Sequence, residues 1–128
     1  MRLLLDTCTF LWVLAVSAEL SPHARELFSD PANEVYLSTV SVWEISVKHA
    51  LGRLPLPASP SQFVPDQREQ HGIDTLALEE EAVLYLPQLP EYHKDPFDRM
   101  LICQAIAHQM TLVTPDTHIT QYAVRTAW

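Results

Sequence analysis

The chain has little of three things: glycine, basic side chains and long apolar runs. Two glycines stand against ten prolines in 128 residues, which excludes a glycine-rich loop protein and implies regular elements punctuated by proline. Eight Lys and Arg oppose sixteen Asp and Glu, a formal charge of −8. Such a surface repels polyanions, so a broad electrostatic grip on duplex nucleic acid is excluded unless bound cations intervene. The only cysteines, Cys8 and Cys103, lie in apolar stretches without metal-ligand spacing. They read as reduced thiols, not as a disulfide framework or a zinc cluster. No internal repeat or low-complexity tract is present.

The N-terminus has a competing reading. Met1-Arg2 followed by LLLDTCTFLWVLAVSA resembles a secretory leader, with Val16-Ser17-Ala18 as a passable cleavage site. Asp6 interrupts the would-be apolar core, and the unbroken stretch beyond it runs only from Phe10 to Val16. That is too short to span a bilayer. The expectation is a cytoplasmic protein with no membrane segment.

What is there is abundant apolar residue, 48% of the chain, in a strand–helix alternation that fits one domain over residues 1–128. Leu3-Leu4-Leu5 reads as a strand buried on both faces. Asp6 or Thr7 is placed to cap a helix through Phe10, Leu11 and Leu14. Ser21-Pro22 opens a second helix that stops near Asp30-Pro31. Val35 to Ser38 is a strand, and Ser41 to Arg53 a helix closed by Gly52. Leu54 to Pro60 is a loop, and Ser61 to His71 a helix in which Pro65 belongs to the first turn or interrupts it. Ile73 to Leu78 reads as a third strand, Glu79 to Leu86 as a short helix, and Gln88 to Lys94 as a loop. Pro96 to Gln109 is the clearest amphipathic helix. Thr111 to Thr114 is a buried strand, Asp116 begins a helical turn, and Val124 to Trp128 is an edge strand. This order implies an α/β fold with parallel strands joined by crossovers. Ligands of such sheets gather beyond the carboxyl ends of the strands, where Asp6 and Asp116 fall.

Each acid also has an ordinary structural reading. Asp6 and Asp116 are placed as caps. Glu44 precedes Lys48 by one helical turn, an ion pair worth about 0.2–0.5 kcal/mol. Asp95-Pro96-Phe97-Asp98 reads as an N-cap, a first-position proline and an acid near the positive helix end. Taken together the acids say more. Two end apolar strands, Asp98 lies in the first turn of a helix with an apolar face, and Glu44 stands among Val42, Trp43, Ile45 and Val47. Four acids meeting in one crevice repel one another until a cation neutralises them. Oxygen ligands of this kind suit Mg²⁺ or Mn²⁺, not zinc, and a cation so held suits in-line displacement at a phosphate.

The stretches LLLDTCTFLW, STVSVWEISVKHALGRL and HKDPFDRMLICQAIAHQMTLVTPDTHITQY resemble, in order and over almost the whole chain, the PIN-domain family, in particular toxin ribonucleases of VapC type. The resemblance implies a three-layer sandwich with a central, mostly parallel sheet of four to five strands flanked by helices. It implies a Mg²⁺- or Mn²⁺-dependent endoribonuclease with Asp6, Glu44, Asp98 and Asp116 as its acidic set. Thr7, Ser41 and Thr114 fall where the family often places small hydroxyl residues beside the acids. Caps and strand ends account for them equally well. Asp95 is a further carboxylate for which capping is the favoured role. The family also implies a homodimer and a cognate antitoxin packed over the active-site groove. Cys8 departs from the commoner polar residue at its position, and Pro115 is a less usual choice before Asp116.

Among the remaining candidates, His23, His49, His71 and His108 lack a paired spacing and read as surface residues. His93 and Lys94 are placed to contact phosphate or shape the pocket mouth, and Arg99 to do the same or to pair with an acid. Solvated charge is the default for these three. Phe10, Leu11, Trp12, Val13 and Trp43 read as core or subunit interface. Two rival functions stay open. A haloacid-dehalogenase-like phosphatase also places an aspartate after its first strand but needs a second two residues on, where this chain has Cys8. The other rival is a binding module in which the acids serve only as caps.

Overall fold

The computed structural model describes residues 1–128. Its frame is a five-stranded sheet, β1 (Arg2–Leu5), β2 (Glu34–Ser38), β3 (Asp74–Leu76), β4 (Thr111–Val113) and β5 (Thr126–Ala127), in spatial order β3-β2-β1-β4-β5. All four pairings are parallel. The helices are α1 (Thr7–Ala15), α2 (Pro22–Ser29), α3 (Thr39–Ala50), α4 (Pro60–Gln70), α5 (Glu80–Tyr85) and α6 (Pro96–Ala107), with 3₁₀ turns at Leu86–Gln88 and Ile119–Gln121.

β1 is the middle strand, and its three leucines show why an unbroken apolar run is needed there. Leu3 and Leu5 join one buried cluster with Phe10, Val13, Leu37, Ile45 and Val64. Leu4 points the other way, into a cluster with Leu101, Ile102, Ala105, Leu112 and Ile119. The two-residue alternation of a strand thus feeds two cores, one on each face of the sheet, giving the three layers.

Most element boundaries agree with the sequence reading to within two residues, with informative differences. Ser38, at the end of β2, caps α3 by accepting from Val40 N, so that helix starts before Ser41. Pro65 lies inside α4 beyond the first turn without breaking it, at the loss of one backbone hydrogen bond. β3 and β5 are shorter than expected, three and two residues. The apolar spacing of α3 is split between faces. Ile45 is fully buried, whereas Trp43 is 57% exposed and Val47 and Leu51 are exposed with it. These three, spaced by one turn each, form a stripe away from the core, so of the two readings of Trp43, core or subunit interface, its exposure removes the first.

Val16 ends α1 in the left-handed region (φ 49°, ψ 46°), and its N–H bonds back to Trp12 and Val13. A β-branched residue is strained there, and this one is 77% exposed, so it has little packing to lose. Val16→Gly should therefore raise the unfolding free energy by about 0.5–1 kcal/mol in urea denaturation. An unchanged or lowered value would show that the turn carries no strain.

The order β3-β2-β1 runs outward on one side and β4-β5 on the other, so the chain reverses its direction of growth between β1 and β4. Asp6 N donates to Val113 O at 3.2 Å, tying the end of β1 to the end of β4. In open parallel sheets this reversal leaves a crevice beyond the strand ends.

Candidate active site

Asp6 leaves β1 at that crevice and caps α1. Its Oδ1 accepts from Thr9 N at 2.8 Å and from Cys8 Sγ at 3.3 Å, while Oδ2 takes neither bond. The residue is 4% exposed. Thr7 follows, and its Oγ1 donates to Glu44 Oε1 at 2.7 Å and lies 2.9 Å from Ser41 Oγ. α1 and α3 are therefore joined through two small hydroxyls and a carboxylate, all buried. Lys48 pairs with the other oxygen of Glu44. The ordinary reading of that pair is present, and it relieves the burden of burying Glu44.

Asp95 caps α6, accepting from Phe97 N at 2.8 Å and Asp98 N at 3.1 Å. The cap aims Asp98 from the first turn toward the strand ends. After β4, Thr114 Oγ1 accepts from Asp116 N at 3.1 Å, and Asp116 Oδ1 accepts from His118 N at 2.8 Å. Both bonds fix the turn that presents Asp116 Oδ2. Between Asp98 and Asp116 stands His93, with Nε2 3.1 Å from Asp98 Oδ2 and 3.0 Å from Asp116 Oδ2. Ligand atoms of His93, Asp98 and Asp116 all lie within 4.8 Å of one another.

The four acids expected from sequence are thus brought to one region, though unequally. Asp98 and Asp116 form the tight pair, and Asp6 and Glu44 stand outside that 4.8 Å group. Their charges still reach it. The Asp98 carboxyl is pushed up to about 7, first by burial, then by Asp95 and Glu44; His93 opposes the rise and Asp6 adds to it. Repulsion from three other acids on one carboxyl is the physical sign of convergence.

His93, placed by the sequence at the pocket mouth with solvated charge as the default, is not solvated. Its side chain is only 16% exposed. No periodicity marks it, because the groups that enclose it come from Tyr122 and Asp116, far along the chain. Lys94 is exposed as expected. Arg99 pairs with no acid. Its guanidinium donates to the carbonyls of Pro90 at 2.9 Å and His93 at 3.4 Å, fastening the loop that carries His93. The reason is direction, since Arg99 follows Asp98 on α6 and projects a different way. Cys8, where the phosphatase rival requires a carboxylic acid, has its thiol pushed far up by burial and by Asp6. Trp43, beside Glu44, stacks edge-on against Phe97 with ring centroids 4.8 Å apart.

Residues 3–125 match the family profile described as PIN domain. The chain belongs to the PIN-domain family. A curated relative, Ribonuclease VapC16 of Mycobacterium tuberculosis, is 31% identical over 64 residues, 50% of this PIN domain and 45% of that protein. The match therefore spans less than half of the relative's length. Solved structures share the fold at lower identity. VapBC2 from Rickettsia felis, bound to a promoter DNA fragment, superposes with a TM-score of 0.72 at 12% identity, covering 99% of this chain and 98% of that one. DNA-bound VapBC from Salmonella typhimurium gives 0.69 at 15%, covering 99% and 97%. FitAcB from Neisseria gonorrhoeae gives 0.64 at 22%, covering 97% and 95%.

The residues of this PIN domain fit a hard divalent cation. Two of the three grouped donors are carboxylate oxygens, beside a His93 ring nitrogen, and burial and neighbouring acids hold the Asp98 proton up to about 7, where a cation would displace it. A pH dependence follows. Folded Asp98 keeps its proton to about 7, while the unfolded chain releases it near about 4. Between those values the folded state holds the extra proton, so cation-free stability contributed by Asp98 falls as pH rises from about 4 to 7 and stays reduced above. Asp98→Asn is neutral throughout. Denaturation in chelator at pH 5 and pH 8 should show a smaller loss between the two for the variant than for the parent chain. Equal losses would show that neither burial nor its neighbours raise the Asp98 carboxyl in the folded chain.

Proposed function

We propose that this PIN domain, acting as one unit across residues 1–128, is a Mg²⁺- or Mn²⁺-dependent endoribonuclease and the toxin of a toxin–antitoxin pair. The observation that carries the nuclease reading is the convergence of Asp98 and Asp116 on one spot beside His93, with Asp98 held protonated to about 7 first by burial and then by Asp95, Glu44 and Asp6. Caps scattered over a surface would not act on one another in this way, which weighs against a purely structural role. The ribonuclease name of the curated relative supports the reaction class, and the toxin–antitoxin complexes among the fold relatives support the biological setting.

In this reading Asp98 and Asp116 hold the cation, and Asp6 and Glu44 complete its surroundings. Bound there, Mg²⁺ or Mn²⁺ supplies the charge that acidifies the attacking water and stabilises the phosphate in an in-line displacement. Thr7 and Ser41 fix the Glu44 carboxylate, Thr114 fixes the turn of Asp116, and Asp95 sets the first turn of α6 from which Asp98 projects. The same neutralisation answers the charge of −8, which otherwise turns RNA away. Single-stranded or loop RNA is the substrate class proposed. A cognate antitoxin and a second copy of the chain are the proposed partners, and the exposed stripe of Trp43, Val47 and Leu51 is apolar surface for protein contact. No helix is long and apolar enough to cross a membrane, and the location proposed is the cytoplasm.

The test incubates purified protein with structured RNA in Mg²⁺ or Mn²⁺, with and without chelator. Internal cleavage that stops when chelator is added is the expected result. Cleavage indifferent to chelator, or hydrolysis of a phosphate monoester with RNA left intact, would overturn the proposal.

A further inference from the structure

We infer that His93 is a positioning residue of the acidic site, whose Nε2 spans Asp98 and Asp116 and sets the spacing at which they receive a cation. The inference rests on the function proposed above.

His93 is held from several directions. Its backbone N donates to Tyr122 Oη at 2.8 Å, its carbonyl accepts from Arg99, and its ring lies 5.6 Å from that of His118. The deciding contact is Asp95 N, which donates to His93 Nδ1 at 3.2 Å. A ring nitrogen that receives an N–H has no proton of its own, so the neutral ring carries its proton on Nε2. Nε2 is hydrogen-bonded to Oδ2 of Asp116 at 3.0 Å, and Oδ2 of Asp98 lies 3.1 Å from the same nitrogen.

The same contact argues against the obvious alternative, in which His93 ligates the metal. A metal-bound imidazole coordinates through its unprotonated nitrogen and donates its other N–H to an acceptor. Here the unprotonated nitrogen is turned away from the acids and toward a donor. His93 therefore acts on the carboxylates, not on the ion. Asp116 sits on a turn after β4 and Asp98 on α6, elements joined at this point by the imidazole. Without it, two acids on separate elements are free to move apart, and the cation must gather them as it binds. Loss of a group that orients metal ligands weakens metal affinity by about 10–100-fold.

The experiment titrates Mn²⁺ into the full chain, following free Mn²⁺ by its electron paramagnetic resonance signal and nitrogen coupling to bound Mn²⁺ by electron spin echo modulation. His93→Ala should raise the Mn²⁺ Kd about 10–100-fold. His93→Gln should recover most of that loss, since its amide N–H reaches a place similar to Nε2–H. The parent chain should show no directly coordinated nitrogen. An unchanged Kd in His93→Ala, a loss in His93→Gln as large as in His93→Ala, or a ligated nitrogen in the parent would each overturn the positioning role while leaving the nuclease reading standing. A parent chain that binds no Mn²⁺ overturns both.

Discussion

Asp6→Asn should abolish RNA cleavage, lowering the rate at least ~10³-fold, about 4 kcal/mol of lost transition-state stabilisation, while leaving the fold intact. The separation of the two effects comes from what Asp6 does structurally. Its Oδ1 caps α1 by accepting from Thr9 N, and asparagine caps as well as aspartate. Asp98 senses the Asp6 charge as a repelling neighbour, so a neutral amide also relieves repulsion in the cation-free protein once Asp98 is ionised. Thermal unfolding in chelator should therefore show the variant at least as stable as the parent to within about 1 kcal/mol. Cleavage measured beside it should be near background. If activity persists in a folded variant, Asp6 is a cap and nothing more.

The second large effect is stabilisation by the ion itself. A site that gathers acids at the expense of their mutual repulsion gains most when that repulsion is cancelled. At a hundredfold excess over its Kd, Mg²⁺ or Mn²⁺ should add about 2.7 kcal/mol. For a chain of this size, roughly 3–5 °C per kcal/mol, this raises Tm by roughly 8–13 °C. The rise should vanish with chelator and largely vanish in Asp98→Asn, which removes one of the two tightly placed carboxylates. Differential scanning calorimetry at matched ionic strength separates binding from screening. A Tm that responds equally to Mg²⁺ and to a monovalent salt of the same ionic strength would show general charge screening and no bound ion.

How much of this was legible in the residues depended on whether the cause was local. Leu3-Leu4-Leu5 announces a central strand because burial on both faces leaves no polar position, and Asp95-Pro96 announces α6 because cap and proline act within one turn. Asp6 and Asp116 were legible as site residues because the strand ends of a parallel sheet define a place before any coordinates exist. His93 is legible only as a residue of the pocket mouth, not as one buried between two acids. Its burial arises from Tyr122 and Asp116 closing over a loop, a contact between segments more than twenty residues apart. Arg99 was misdirected for the same reason, since only the folded loop shows the carbonyls that claim it. Trp43 and Val47 share an apolar composition with buried Ile45, and only the packing of α3 shows which side of the helix faces the core.

The central claim is that the acids at the β1 and β4 strand ends share one divalent cation. Crystals soaked in Mn²⁺ and measured for its anomalous scattering test it most directly. A single strong peak bounded by the carboxylates of Asp98 and Asp116, with Asp6 and Glu44 around it, is the expected result. Saturating Mn²⁺ with no peak there, from a protein that still cleaves RNA, would contradict the account.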